Sequence, residues 1–124
     1  MAVGGAIGAV ARLLVFHAVH GRGRAHGPWT TMGINLAGCL VLGLLLGWLA
    51  AREGAGKPVL DERLRAFLTV GVLGGFTTFS TYAGDAMKLL QERRPGAAML
   101  YLLGSAVLGV AVCMGGYSVS IRSL

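Results

Sequence analysis

The chain has 124 residues, of which 55% are hydrophobic and only 13% are charged, and its mean hydropathy is +0.70. This composition excludes an ordinary soluble domain and indicates a membrane protein. The formal net charge of +6 would suit a nucleic-acid partner. We expect none, because the basic residues lie between apolar stretches, where lipid headgroups are the nearer anionic partner.

Four stretches are long enough to cross a bilayer, which takes roughly 20 apolar residues as a helix. Three of them carry no Asp, Glu, Lys or Arg: Ala25 to Ala51, Ala66 to Gly84 and Pro95 to Ile121. The first stretch, Met1 to Gly21, has Arg12 at its middle and lacks the charged start and cleavage site of a signal peptide. We therefore expect an all-α membrane protein in which residues 1–124 form a single domain of four transmembrane helices.

The first predicted helix covers about Ala2 to His20 and places Gly4, Gly8 and Arg12 on one face. A guanidinium costs at least about 2.5 kcal/mol at the centre of a span, so such a residue generally marks a pathway or pairs with an opposite charge. No carboxylate lies in the charge-free stretches, and Asp85 is expected at the far edge of the third helix. Arg12 is therefore predicted to reach a water-filled vestibule or a diffusible anion, and the missing acid favours passive permeation over proton coupling.

The second and fourth predicted helices each carry small or polar residues at every fourth position. In the second helix, about Thr30 to Ala50, these are Asn35, Cys39, Gly43 and Gly47; in the fourth, which starts near Pro95, they are Tyr101, Ser105, Gly109 and Cys113. Close helix packing and a hydrogen-bonding track are both open interpretations. The Asn35 carboxamide needs a partner on another helix or in a wet pathway, whereas the two cysteines are expected to be packing residues.

The basic residues of the connections are divided evenly between the two faces of the membrane. One face receives Arg52, Lys57, Arg63, Arg65 and Arg122, and the other receives Arg22, Arg24, Lys88, Arg93 and Arg94. Orientation normally follows an excess of Lys and Arg on the cytoplasmic side, and here there is no excess. Either the loops are misassigned, or one helix dominates insertion, or the chain inserts both ways and forms an antiparallel dimer.

The third predicted helix starts near Leu60 or Arg63 and contains the segment GGFTTFSTY, Gly74 to Tyr82. Two adjacent glycines cost a helix about 1 kcal/mol each relative to alanine, and the β-branched threonines add to this cost. We therefore predict a break in this segment. Irregular backbone at membrane depth must be buried in protein or line a cavity. Freed carbonyls suit a cation, whereas hydroxyls, amide donors and helix N-termini suit an anion.

Three segments together resemble the CrcB/Fluc family of fluoride channels: GGFTTFSTY in the third helix, GINLAG at residues 33–38 and GGAIGAVARL at residues 4–13. The resemblance covers nearly the whole chain. It implies an antiparallel, dual-topology dimer of four-helix subunits in the cell (inner or plasma) membrane, with two fluoride pores. It also implies a structural sodium ion at the dimer interface, held by backbone carbonyls that here would be those of Gly74 and Thr77.

The resemblance places the two pore aromatics at Phe79 and at position 82, which is Tyr82 in this chain. Ring edges carry the positive end of the aromatic quadrupole and can meet a dehydrated anion, and the Tyr82 hydroxyl would donate to fluoride or constrict the path. Phe76 is expected to pack. Gly109 stands where relatives can carry a further hydroxyl, so the polar track would be shorter or bridged by water. The other implied pore or anion-binding residues are Asn35, Ser80, Thr81, Tyr101, Ser105 and Arg12.

The implied function is a passive, fluoride-selective channel that exports fluoride and lowers its cytoplasmic concentration. One alternative is a non-conducting subunit or one half of a heterodimeric channel, which the departures at Tyr82 and Gly109 would suit. Another is a small dual-topology multidrug exporter, but that class expects an acid in the first helix, where this chain has Arg12. An enzyme is not expected. The histidines lack metal-ligand partners at suitable spacing: His17, His20 and His26.

Overall fold

The computed structural model describes residues 1–21, 27–57 and 59–123, and its regular elements in these ranges are all helical. The helices are α1 (Ala2–His20), α2 (Pro28–Gly54), α3 (Glu62–Ala66), α4 (Gly74–Phe76), α5 (Phe79–Gln91) and α6 (Pro95–Arg122), with a π-helical segment (Phe67–Leu73) between α3 and α4. Within these ranges, four helical units are long and apolar enough to cross a membrane: α1, α2, the composite span Glu62–Gln91 and α6. The predicted all-α, four-span architecture is confirmed. Arg22, Arg24 and His26, which entered the charge count and the histidine interpretation, lie outside the described residues.

The N-terminal ends of α2 and α3 are set by residues suited to the start of a helix. The second helix begins at Pro28, two residues earlier than predicted, because a proline at the start of a helix gives up only an N–H that would have no helical partner. It continues to Gly54, beyond the predicted end. The third span begins at Glu62, where Asp61 Oδ1 accepts a hydrogen bond of 2.7 Å from Leu64 N.

The third span ends later than the sequence predicted, and this changes the position of Asp85. The charge-free run stops at Gly84, but α5 continues to Gln91, and the chain turns at Arg93, whose φ is 58°. Asp85 is only 3% exposed. The expectation that this acid lies at the far edge of the third helix was wrong. The premise that the spans hold no acid, from which passive permeation was inferred, is wrong with it. A carboxylate is tolerated at depth when a neighbouring helix supplies a hydrogen-bond donor.

Glycines let α2 and α6 approach to backbone contact. A Cβ atom on Gly43 would collide with the Cys113 carbonyl oxygen and lie 3.0 Å from Cys113 Cα, and Gly47 repeats the contact one turn further along α2. Both cysteines are free, and Cys39 Sγ lies 3.5 Å from the Cβ position of Gly109. Of the two open interpretations of this face, close helix packing holds for its glycines.

A second glycine contact joins α1 to the third span. A Cβ on Gly8 would collide with the Val72 carbonyl oxygen and lie 2.6 Å from Phe76 N. On the opposite side of this contact, a Cβ on Gly75 would collide with Gly5 O and lie 2.9 Å from Gly5 Cα. The two helices therefore touch through their backbones just before the predicted break. The wider turn of the π-helical segment lies in this contact region and was not predicted.

Candidate functional site

The third span breaks at Thr77 and Thr78, within the segment Gly74 to Tyr82 in which the break was predicted. Gly74 is still helical, with φ −63° and ψ −36°, whereas Thr77 has ψ 161° and Thr78 has φ −150° and ψ 113°. β-Branched threonines suit extended backbone better than glycine does. The Thr78 hydroxyl also caps the second half of the span, because it accepts a hydrogen bond of 3.3 Å from Thr81 N.

The backbone at the break forms hydrogen bonds with side chains of α1 and α2. Asn35 Oδ1 accepts from Thr78 N at 2.9 Å, and Asn35 Nδ2 donates to Thr78 O at 3.3 Å. Arg12 Nη1 donates to Thr77 O at 3.3 Å. The partner that the Asn35 carboxamide needs is therefore the break itself. Arg12, which was predicted to reach a vestibule or an anion, also contacts the backbone at the break.

Hydroxyls cluster in the first turn of α5 around Thr78, a residue absent from the predicted site. Its Oγ1 donates to Thr81 Oγ1 at 3.1 Å and lies 3.4 Å from Ser80 Oγ. Thr78 is buried, whereas Ser80 is exposed on the subunit. A helix-capping signal would have identified Thr78, since a threonine just before an apolar helical run is a common N-cap residue.

Four aromatic rings form a series from the break to the start of α2. Ring centroids are 5.7 Å apart for Phe79 and Tyr82, 5.2 Å for Tyr82 and Tyr101, and 6.2 Å for Tyr101 and Trp29. The Tyr82 hydroxyl donates to Leu102 O on α6 at 2.7 Å. This contact matches neither sequence interpretation, because the hydroxyl is held by a neighbouring helix.

A groove of about 430 Å³ opens between α2, the third span and α6. Its lining includes Asn35, Cys39, Gly74, Thr77, Thr78, Phe79, Tyr82 and Ser105. Four predicted site residues do not line it: Arg12, Ser80, Thr81 and Tyr101. Among the described residues, two buried side-chain oxygens lack a hydrogen-bond partner, those of Tyr101 and Ser105. A buried hydroxyl left unpaired costs about 1–3 kcal/mol, so the Ser105 hydroxyl, which lines the groove, has a donor available for an ion or water. The Tyr101 hydroxyl does not line the groove and lies beside Thr31 and Asp85.

A buried polar pair that sequence reasoning missed joins α2 to α5. Thr31 Oγ1 donates to Asp85 Oδ2 at 2.6 Å, and these residues are 0% and 3% exposed. The Tyr101 ring lies beside this pair. The pair was missed because the prediction ended the third span with the uncharged residues, at Gly84, one residue before Asp85.

These features define a class of small membrane protein in which a broken helix presents irregular backbone to a groove of aromatic rings and hydroxyls. The chain belongs to the CrcB family: residues 1–117 match the family described as CrcB-like protein, Camphor Resistance (CrcB). This membership confirms the predicted family and decides against the multidrug exporter.

Three relatives cover nearly the whole chain, and each bears the name fluoride-specific ion channel FluC. The protein from Novosphingobium aromaticivorans is 45% identical, with 96% of this chain and 91% of the relative covered. The protein from Paracoccus denitrificans is 42% identical, with coverages of 96% and 90%. The protein from Sphingopyxis alaskensis is also 42% identical, with coverages of 98% and 92%.

Proposed function

We propose that this chain forms a passive, fluoride-selective channel of the cell membrane that exports fluoride. The observation that carries the proposal is the buried, unpartnered hydroxyl of Ser105 and its place beside the rings of Phe79 and Tyr82. Ser105 shares the groove with both rings. The names of the relatives supply the identity of the ion.

The proposed pathway suits an anion that has lost its water. Hydroxyl groups donate hydrogen bonds, and the edges of aromatic rings carry partial positive charge, so both stabilise a small negative ion. Fluoride concentrates its charge more than chloride and gains more from the same donors. In acidic surroundings neutral HF crosses the membrane and dissociates inside. A passive fluoride pathway then lets the membrane potential drive the anion out.

A second copy of the chain, inserted in the opposite direction, would cover the open side of the groove. Phe79 is 79% exposed and Val70 is 66% exposed in the subunit, and Gly74 is exposed beside them. Backbone carbonyls cannot face lipid without a cost of several kcal/mol. The even division of basic residues between the two faces supports an antiparallel homodimer, and a heterodimer remains the alternative.

The backbone at the break fits a sodium ion shared by such a dimer. Thr78 N donates to Asn35 rather than to the carbonyl of Gly74 four residues earlier, so the Gly74 oxygen loses its helical donor. The Thr77 oxygen accepts only a 3.3 Å bond from Arg12 among the contacts described and retains a second lone pair. Carbonyls of Gly74 and Thr77 from both subunits would hold the ion, which would supply positive charge at the interface.

Efflux from liposomes tests the fluoride proposal. Liposomes loaded with fluoride and containing the purified chain are expected to release fluoride when a potassium ionophore balances charge, and to retain chloride. Ser105→Ala is expected to slow fluoride efflux at least about tenfold, because a hydrogen bond to a charged group contributes about 1.5–3 kcal/mol. Phe79→Ala is expected to slow it as well, through loss of the ring edge.

The matched control for these variants is Tyr117→Phe, which removes a hydroxyl from the exposed side of α6 and should leave efflux unchanged. Equal leakage of chloride and fluoride would contradict the proposed selectivity. Efflux by the chain alone would also decide against an obligatory heterodimer.

The sodium proposal is tested by stability. The thermal midpoint of the purified dimer is expected to rise with sodium concentration and not with N-methylglucamine at equal ionic strength, because a ligand bound only by the folded dimer stabilises it. Native mass spectrometry should show more dimer in sodium. A midpoint that is the same in both salts would contradict the sodium site and leave the fluoride proposal standing.

A further inference from the structure

The peptide unit between Thr77 and Thr78 is hydrogen-bonded on both of its polar groups by side chains from two different helices. Its carbonyl, that of Thr77, accepts from Arg12 of α1, and its N–H, that of Thr78, donates to Asn35 of α2. The carbonyl and N–H of a trans peptide point in opposite directions, and no cis bond occurs among the described residues. The two side chains therefore reach this one peptide plane from opposite sides.

We propose that Arg12 and Asn35 are positioning residues that act as a two-sided clamp on the Thr77–Thr78 peptide plane. For its transport readout this inference rests on the proposed function, but its structural content does not. The family resemblance implied that both residues line the pore or bind the anion. The clamp gives them a different role, in which they act on the ion pathway through the backbone of the break.

Asn35 strengthens the clamp because both polar groups of its carboxamide form hydrogen bonds with the Thr78 backbone. One end accepts from the Thr78 N–H at 2.9 Å, and the other donates to the Thr78 carbonyl at 3.3 Å. A neighbouring β-strand makes the same exchange of two bonds with one residue. Thr78 is extended, with φ −150° and ψ 113°, so the side chain substitutes for a strand that the fold does not supply.

The clamp acts on the joint between two anchored half-helices. On one side, Thr77 N and Thr77 Oγ1 both donate to Leu73 O, at 3.0 and 3.1 Å. On the other side, the Thr78 hydroxyl caps α5 at Thr81. Neither anchor fixes the rotation of the peptide plane between them. A rotated plane would turn the Thr77 carbonyl and the Thr78 N–H toward different neighbours and change the groups presented to the groove.

Amide hydrogen exchange in fluoride-free buffer tests the clamp without using transport. Asn35→Ala is expected to speed exchange of the Thr78 amide at least about tenfold, because its acceptor is lost. Arg12→Ala is expected to speed exchange of the same amide, although Arg12 bonds the carbonyl at the opposite edge of the peptide plane. Asn35→Asp keeps an acceptor for the Thr78 N–H and is expected to retain most of the protection. Ser105→Ala, in the same groove but without a bond to the break, is the matched control.

Fluoride efflux supplies the second readout through a double-mutant cycle. If both residues act through one peptide plane, Arg12→Ala combined with Asn35→Ala should be no slower than the slower single variant, within about twofold. Arg12→Ala combined with Ser105→Ala should instead show multiplied effects.

Unchanged Thr78 exchange in folded Arg12→Ala protein would overturn the clamp, and so would multiplied effects of Arg12→Ala and Asn35→Ala. If neither Ala variant folds, Thr78 exchange at least about tenfold faster in Asn35→Asp than in Ser105→Ala would overturn it. If the chain conducts no fluoride, the proposed function fails while the exchange measurements still decide the clamp.

Discussion

Gly8→Ala is expected to abolish the correctly packed subunit and, with it, fluoride efflux. The new Cβ would collide with the Val72 carbonyl oxygen and lie 2.6 Å from Phe76 N and 2.9 Å from Gly75 C. These atoms are all backbone, so no flexible side chain can move aside. Overpacking costs about 1–3 kcal/mol or more, and here it would push α1 away from the segment that leads into the break. Size-exclusion profiles, thermal midpoints and liposome efflux would each report the loss.

Gly5→Ala is the matched control on the same helix, because a Cβ at Gly5 would have no atom within 4 Å. Alanine is favoured over glycine in a helix by about 1 kcal/mol, so both variants gain the same intrinsic preference. The difference between them therefore measures the collision alone. A Gly8→Ala protein as stable and as active as Gly5→Ala would show that α1 does not pack on the third span in this way.

Thr31→Val is expected to destabilise the subunit strongly, because it removes the donor that bonds Asp85 at 2.6 Å and leaves a buried carboxylate without that partner. An unsatisfied buried group costs about 1–3 kcal/mol, and more when it is charged. The thermal midpoint of the purified protein should fall accordingly. Thr69→Val is the control, since the Thr69 hydroxyl bonds only its own helix at Arg65 O among the contacts described.

A double-mutant cycle identifies the cause of that loss. Thr31→Val combined with Asp85→Leu replaces both polar partners by apolar groups, which can be nearly neutral for stability. The double variant should therefore recover much of the midpoint lost in Thr31→Val. A double variant less stable than either single variant would show that the pair does not act as one hydrogen-bonded unit.

The break was predictable in kind and in its segment, but not to the residue. Adjacent glycines and threonines in a charge-free run indicated that a helix would fail between Gly74 and Tyr82. The structure keeps Gly74 and Gly75 helical and breaks at Thr77 and Thr78. Gly75 serves instead to let α1 approach, a role that depends on Gly5 of another helix. Helix propensity showed that a continuous helix is unfavourable in this segment, whereas packing decided at which residues the helix breaks.

The sequence by itself determined the four spans, the small-residue face between α2 and α6, and the family, because these depend on apolar length, short-range spacing and contiguous motifs. Only the tertiary structure decided the partners of the polar groups: Asn35 with Thr78, Arg12 with Thr77, Thr31 with Asp85, and Tyr82 with Leu102. The first three pairs are separated by 43, 65 and 54 positions. A side chain's need for a hydrogen bond can be read from its type and depth, but the donor or acceptor that meets the need is chosen by how distant helices pack.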